Sequence, residues 1–211
     1  MQHELLARLS LCVLLSVAAV AAAAAPSPQL YASCVACHGA RGEGNAAVGA
    51  PAIAGQSESY LRRQLQNFRA GVRGTHKADV YGAQMKAASG ATLRDDNALA
   101  SLAQYVGSLP KTTVKSVAKF DAHNGNNLYQ GKCGACHGGK AEGNEALSAP
   151  RLSGLDAVYL QRQLANFRTG VRGAHERDKY GRQMALMAGM VTTEKDVNDV
   201  IGHIQTSGAA K

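Results

Sequence analysis

Apolar residues recur along this chain at the spacing of a helix face, and strand alternation is absent. Between Tyr60 and Phe68, residues Leu61, Leu65 and Phe68 share one face behind Ser57, a residue suited to an N-cap. Leu99, Leu102, Val106 and Leu109 form a second stripe. Val197, Val200, Ile201 and Ile204 form a third, opened by Thr193 with Glu194 and Asp196 in the first turn, where a helix favours negative charge. Asp121 is placed to cap a further helix running toward Cys133. The pattern predicts an all-α fold.

The pattern also repeats. Residues 34–85 align with 133–184 without a gap, and 30 of the 52 positions are identical. A period this long implies tandem domains rather than a solenoid. The expected units are residues 26–110 and 121–211, joined by a polar, basic linker over 111–120 that follows Pro110. Residues 1–25 read as a signal peptide: Arg8 precedes a small-to-apolar run, and Ala23-Ala24-Ala25 offers a cleavage site before Pro26. Cleavage fits this pattern better than an uncleaved anchor. The protein is therefore expected to be exported, into an oxidising space.

Composition changes the picture in two ways. Residues 27–110 hold only nineteen Leu, Ile, Val, Met, Phe and Tyr side chains, and the chain carries 23 glycines and no tryptophan. A domain of about 85 residues is marginal and leans on a staple, so a large apolar group bonded into each core is expected. The net charge is +8, which favours acidic partners. Outside the cytoplasm, nucleic acid is not among the expected ones.

Of five cysteines, Cys12 falls in the leader and four remain in two tight pairs. Cys34-Val-Ala-Cys37-His38 and Cys133-Gly-Ala-Cys136-His137 have the Cys-x-x-Cys-His spacing of c-type haem attachment. Two thiols one helical turn apart reach the two vinyl groups of one porphyrin, and the adjacent histidine points at the iron. A four-cysteine zinc site would leave both histidines unexplained, a thioredoxin-like pair expects a βαβ setting, and plain disulfides account for neither the histidines nor the duplication.

For the sixth iron position the repeat-matched candidates are Met85 and Met184, each 47 residues after its histidine, in a Tyr-Gly-x-Gln-Met turn before the last helix. Met187 and Met190 are decoys that the repeat register sets aside. His76 and His175 are also matched but sit in a Gly- and charge-rich stretch that reads as a loop. His123 and His203 lack counterparts and are expected at the surface. Pro51 and Pro150 follow the histidines by 13 residues, where a backbone carbonyl could accept the imidazole proton. Arg69, Arg73, Arg168 and Arg172 are candidates for haem propionates, against a solvated basic face. Tyr60, Tyr159, Asn67 and Asn166 are candidates for hydrogen bonds near the haem edge, although helix packing explains the tyrosines equally well.

Together these residues resemble the dihaem cytochromes of the c4 type, two class I cytochrome c domains in tandem, each wrapped around one covalently bound haem. The likeness rests on the two Cys-x-x-Cys-His-Gly motifs, the following Ala-Pro, the Tyr-Leu-x-x-Gln-Leu-x-x-Phe-Arg-x-Gly helices and the late methionines. It implies two haem c groups and a periplasmic electron shuttle. The expected partners are redox proteins, a quinol or substrate dehydrogenase on one side and a membrane-bound oxidase on the other, with loose association at a membrane surface. The Gly-Val-Arg-Gly-x-His-x-x-Asp-x-Tyr stretch departs from the family pattern in length and charge. Two rivals are a cytochrome subunit of a dehydrogenase and a dihaem enzyme, the latter needing an iron with a displaceable ligand.

Overall fold

The computed structural model describes residues 28–113 and 119–207. The expected leader and the middle of the expected linker lie outside them. The described residues form helices and two isolated β-bridges, Asn45 with Ala50 and Asn144 with Ala149, and contain no strand. The fold is all-α, and none of its described helices is long and apolar enough to cross a membrane.

The first unit contains α1 (Pro28–Tyr31), α2 (Val35–His38), α3 (Glu58–Arg69), α4 (Val80–Thr92) and α5 (Asp96–Ser108). The second contains α6 (Ala122–Tyr129), a π-helical turn over Gln130–Gly134, α7 (Ala135–His137), α8 (Ala157–Arg168), α9 (Lys179–Ala188) and α10 (Glu194–Ser207). Short polar side chains satisfy the free N–H groups at the helix starts. Ser57 Oγ accepts from the Tyr60 N–H at 3.3 Å, Asp121 from Asn124 at 3.0 Å, and Thr193 Oγ1 from Asp196 at 3.0 Å. Leu109 falls just outside α5 in an extended conformation, because Pro110 disfavours a helical residue before it.

The stretch around each late methionine is helical rather than a turn. Buried Asp79 and Asp178 start α4 and α9 by accepting from the Gly82 and Gly181 N–H groups, each at 2.9 Å. The apolar stripe that announces a helix is missing from Ala-rich α4, so the cap carries the signal instead.

In each unit the first helix crosses the last, α1 on α5 and α6 on α10, with α3 or α8 packed alongside. Tyr31, Leu61, Leu93, Leu99, Leu102 and Val106 fill the first core; Tyr129, Leu155, Leu160, Val200, Ile201 and Ile204 fill the second. The α6–α10 crossing is close enough that a Cβ on Gly125 would strike the Asp199 carbonyl. His203 lies on this crossing, half-buried with its ring 5.0 Å from that of Tyr129, rather than at the open surface. Tyr31 and Tyr129 donate to the carbonyls of Gly39 and Gly138 at 2.6 and 2.7 Å, which ties each core to the end of its Cys-x-x-Cys-His segment.

Candidate haem sites and the interface between them

Cys34 is the N-cap of α2 and Cys37 lies on that helix, Cys133 lies on the π-turn and Cys136 on α7; the two of each pair are one turn apart and none of the four is in a disulfide. In each unit the first of the pair is half-buried and the second is exposed, while the following histidine is buried. His38 Nδ1 lies 2.9 Å from the Pro51 carbonyl, and His137 Nδ1 lies 2.9 Å from that of Pro150. A carbonyl only accepts, so each Nδ1 carries the proton and each Nε2 presents a bare lone pair. Burial pushes both imidazoles below their ordinary pKa, the carbonyl contact opposing it.

Each Nε2 faces a methionine sulfur at 3.5 Å, Met85 in the first unit and Met184 in the second. Nitrogen and sulfur confront each other with lone pairs and no proton between them. That arrangement fits a pair of donors to one metal ion. Around the second pair lies a cavity lined by Cys133, Cys136, Pro150, Leu160, Phe167 and Met184, among others. It extends past Tyr60 and Gln64 of the first unit, so the second site reaches the seam between the units.

That seam has an approximate twofold character. Arg63 donates to the Ser148 carbonyl at 2.6 Å and lies over the Tyr180 ring; the matching Arg162 donates to the Gly49 carbonyl at 2.5 Å and lies over Tyr81. Arg73 donates to Gln64 at 2.8 Å and to Gln163 at 3.2 Å. Arg172 donates to Gln163 at 2.7 Å and to Gln64 at 3.1 Å. The loops that carry these two arginines turn at Gly74 and Gly173, at φ +80° and +82°, where any Cβ would strike the carbonyl of Gly82 or Gly181. This is the structural use of the Gly-Val-Arg-Gly segments.

Arg73 and Arg172 form no ion pair with a carboxylate among the described residues, and the Nε of each is buried without a partner. Burial and the nearby Arg172 charge push the Arg73 guanidinium down from its ordinary pKa. Two buried cations in one seam call for anions, and haem propionates would supply them. The other candidate arginines are engaged elsewhere. Arg69 pairs with Asp96, and Arg168 donates to the Val191 carbonyl at 3.2 Å. Tyr60 and Tyr159 line the cavity, and the Tyr60 hydroxyl lies 3.5 Å from Arg172. Asn67 and Asn166 close the arginine loops through their main-chain carbonyls. His76 and His175 sit in turns, each Nδ1 accepting from the N–H two residues on, at 3.2 and 3.1 Å.

Sequence reasoning missed the interface residues Arg63, Arg162, Gln56, Gln64, Gln163 and Arg151. Gln64, Gln163 and Arg151 reveal themselves only across the seam, although the repeat carried a hint for the glutamines. Arg151 reaches the Ala54 carbonyl at 2.9 Å, and its own main chain pairs with buried Gln56.

Two helical units, each with paired cysteines, a buried histidine and a facing methionine, define a dihaem c-type cytochrome. The family model described as Cytochrome c matches twice, over residues 24–110 and 122–208. Cytochrome c4 of Azotobacter vinelandii is 34% identical over 82% of this chain and 83% of its own. A thiosulfate dehydrogenase electron acceptor of Stutzerimonas stutzeri is 28% identical over 82% of this chain and 70% of its own. The crystal structure of reduced recombinant cytochrome c4 from Pseudomonas stutzeri superposes with a TM-score of 0.65 at 29% identity, covering 84% of this chain and 95% of that one. The chain belongs to the cytochrome c family, as a tandem member of the c4 type with two covalently bound haem c groups. It is a dihaem electron-transfer protein.

Proposed function

We propose that the chain is an exported periplasmic carrier that passes single electrons from a quinol- or substrate-oxidising complex to a terminal oxidase or another acceptor. Cys34, Cys37, Cys133 and Cys136 form the thioethers in this reading. His38 with Met85, and His137 with Met184, would hold the two irons. The facing histidine and methionine pairs, built identically in both units, carry the reading.

Haem bound there supplies a one-electron iron couple. The protein's own residues tune it. A thioether ligand favours reduced iron and raises the potential. The Pro51 and Pro150 carbonyls fix the imidazole tautomer and orientation. Arg73 and Arg172 would offer guanidinium donors to haem propionates at the seam. With a histidine and a methionine facing each other in each unit, both ligand positions of each iron would be supplied by the protein, which supports a carrier over an enzyme. The +8 charge of the chain, less about 4 for ionised propionates, leaves a basic surface that steers toward acidic partners. A relative named as an electron acceptor of thiosulfate dehydrogenase supports a substrate dehydrogenase as donor.

A redox titration of the purified protein, followed by visible absorbance, tests this. Two one-electron waves, both low-spin in each oxidation state, are expected. High-spin iron, or carbon monoxide binding by the native protein, would favour the enzyme reading and overturn the carrier.

A further inference from the structure

The duplication allows the two haem sites to be compared position by position, and they differ most on one surface. In the second unit α9 and the turn that follows it present Leu186, Met187 and Met190 to solvent, 77%, 36% and 51% exposed. The first unit has Ala87 and Ala88 at the matching positions of α4, and only Ala91 and Thr92 opposite Met190. Met187 also lines the haem cavity together with Cys136, so this apolar cluster sits where the second site meets solvent.

Charge follows the same asymmetry. Lys132 donates to the Met190 carbonyl at 2.7 Å and thus stands at the edge of the cluster; its counterpart is Ser33. Arg182 lies one helical turn before Leu186 and is exposed, where the first unit has Ala83. Arg168 borders the cluster through the Val191 carbonyl and has no carboxylate partner among the described residues. Its counterpart Arg69 is neutralised by Asp96, the first residue of α5, whereas Glu194, the first residue of α10, makes no ion pair with Arg168 among the described residues. One unit thus has a face without large apolar side chains, with exposed Lys86 and Arg94 and a neutralised arginine, and the other an apolar cluster rimmed by three cations.

Resting on the carrier reading, we propose that the α9 face of the second unit is the docking surface for a redox protein whose contact patch is apolar at its centre and ringed by carboxylates, and that the α4 face of the first unit is not. Desolvated apolar side chains give such a contact its hold, and rim charges set its on-rate and salt dependence. Small, short-lived interfaces are usual for redox encounters.

The holoprotein is mixed in stopped flow with an acidic blue-copper protein, plastocyanin, and the second-order rate of electron exchange is measured against ionic strength. Leu186→Glu places a like charge against the partner's rim. Exchange should slow about tenfold at low salt, equivalent to roughly 1.4 kcal/mol, with the slowing fading as salt rises. Ala87→Glu, at the matching position, should change the rate less than about twofold. Both sites are exposed, and an unchanged low-spin spectrum establishes that each variant is folded. Equal slowing by the two variants, a larger effect of Ala87→Glu, or no effect of either overturns the docking assignment. So does a Leu186→Glu defect confined to sedimentation with anionic phosphatidylglycerol vesicles, which would make the face a membrane contact. Reduction by ascorbate reads the carrier chemistry separately. Failure there in the wild-type protein would count against the carrier reading itself, not against the choice of face.

Discussion

Met85 faces His38 across 3.5 Å with no proton to share, so its replacement should be felt at the iron. Met85→Ala is expected to remove the sulfur-to-iron charge-transfer band of one haem and lower that haem's potential, leaving the other unchanged; survival of the full band would refute the ligand assignment. His76→Ala should leave the spectrum intact, since the His76 ring is exposed and occupied with the Ala78 N–H. Individual residues were legible where the repeat doubled a motif of fixed spacing. Cysteine, histidine and methionine positions followed from spacing alone, and Pro51 and Pro150 from the need to fix a tautomer. The arginines were legible as a group but not singly. Arg69 and Arg73 look alike in sequence, and only the fold brings Asp96 to the first and buries the second in the seam. Long-range pairing of this kind leaves no local pattern.

Helices with apolar stripes could be read directly, as α3, α5 and α10 show, because burial of one face sets their periodicity. Helix α4 could not, since its register comes from the Asp79 cap and from contact with the Gly74 loop rather than from a stripe. The α6–α10 crossing offers two tests. Gly125→Ala should destabilise the second unit by about 1–3 kcal/mol through overpacking against the Asp199 carbonyl, seen as a lower midpoint in guanidinium unfolding. Buried Asp199 accepts from Lys195 at 2.6 Å, from Asn124 at 2.8 Å and from the Asp121 N–H at 2.9 Å. These contacts, the Lys195 bond foremost, hold its carboxyl down at about 2. A depressed carboxylate stabilises the fold above its unfolded pKa of about 3.9 and loses that contribution as pH falls through the folded value. Asp199→Asn should therefore weaken the protein at pH 5 to 7 and flatten its loss of stability between about pH 4 and 2. Circular dichroism across that range checks it, and an unaltered acid transition would remove Asp199 from the account.

At the scale of the whole molecule, the duplicated sequence builds a nearly self-complementary seam. Position 63 of one copy meets position 148 of the other, and 162 meets 49, which is the pairing a twofold axis imposes on two copies of one surface. The repeat announced two domains but not which faces meet, because every matched surface residue is an equal candidate until the chains are folded. Only after the seam is known do the shared Arg-Gln positions gain a purpose. Each guanidinium over a tyrosine ring contributes about 0.5–2 kcal/mol, enough together to decide whether the units stay docked. The double variant Arg63→Ala, Arg162→Ala is expected to keep helical content and both low-spin spectra while increasing the radius of gyration in small-angle scattering. Electron exchange between the haems should slow with it, since the seam sets their approach. If scattering and intramolecular exchange both stay at wild-type values, the arginine hooks do not hold the units together, and the Arg73, Arg172 and glutamine network must do so alone.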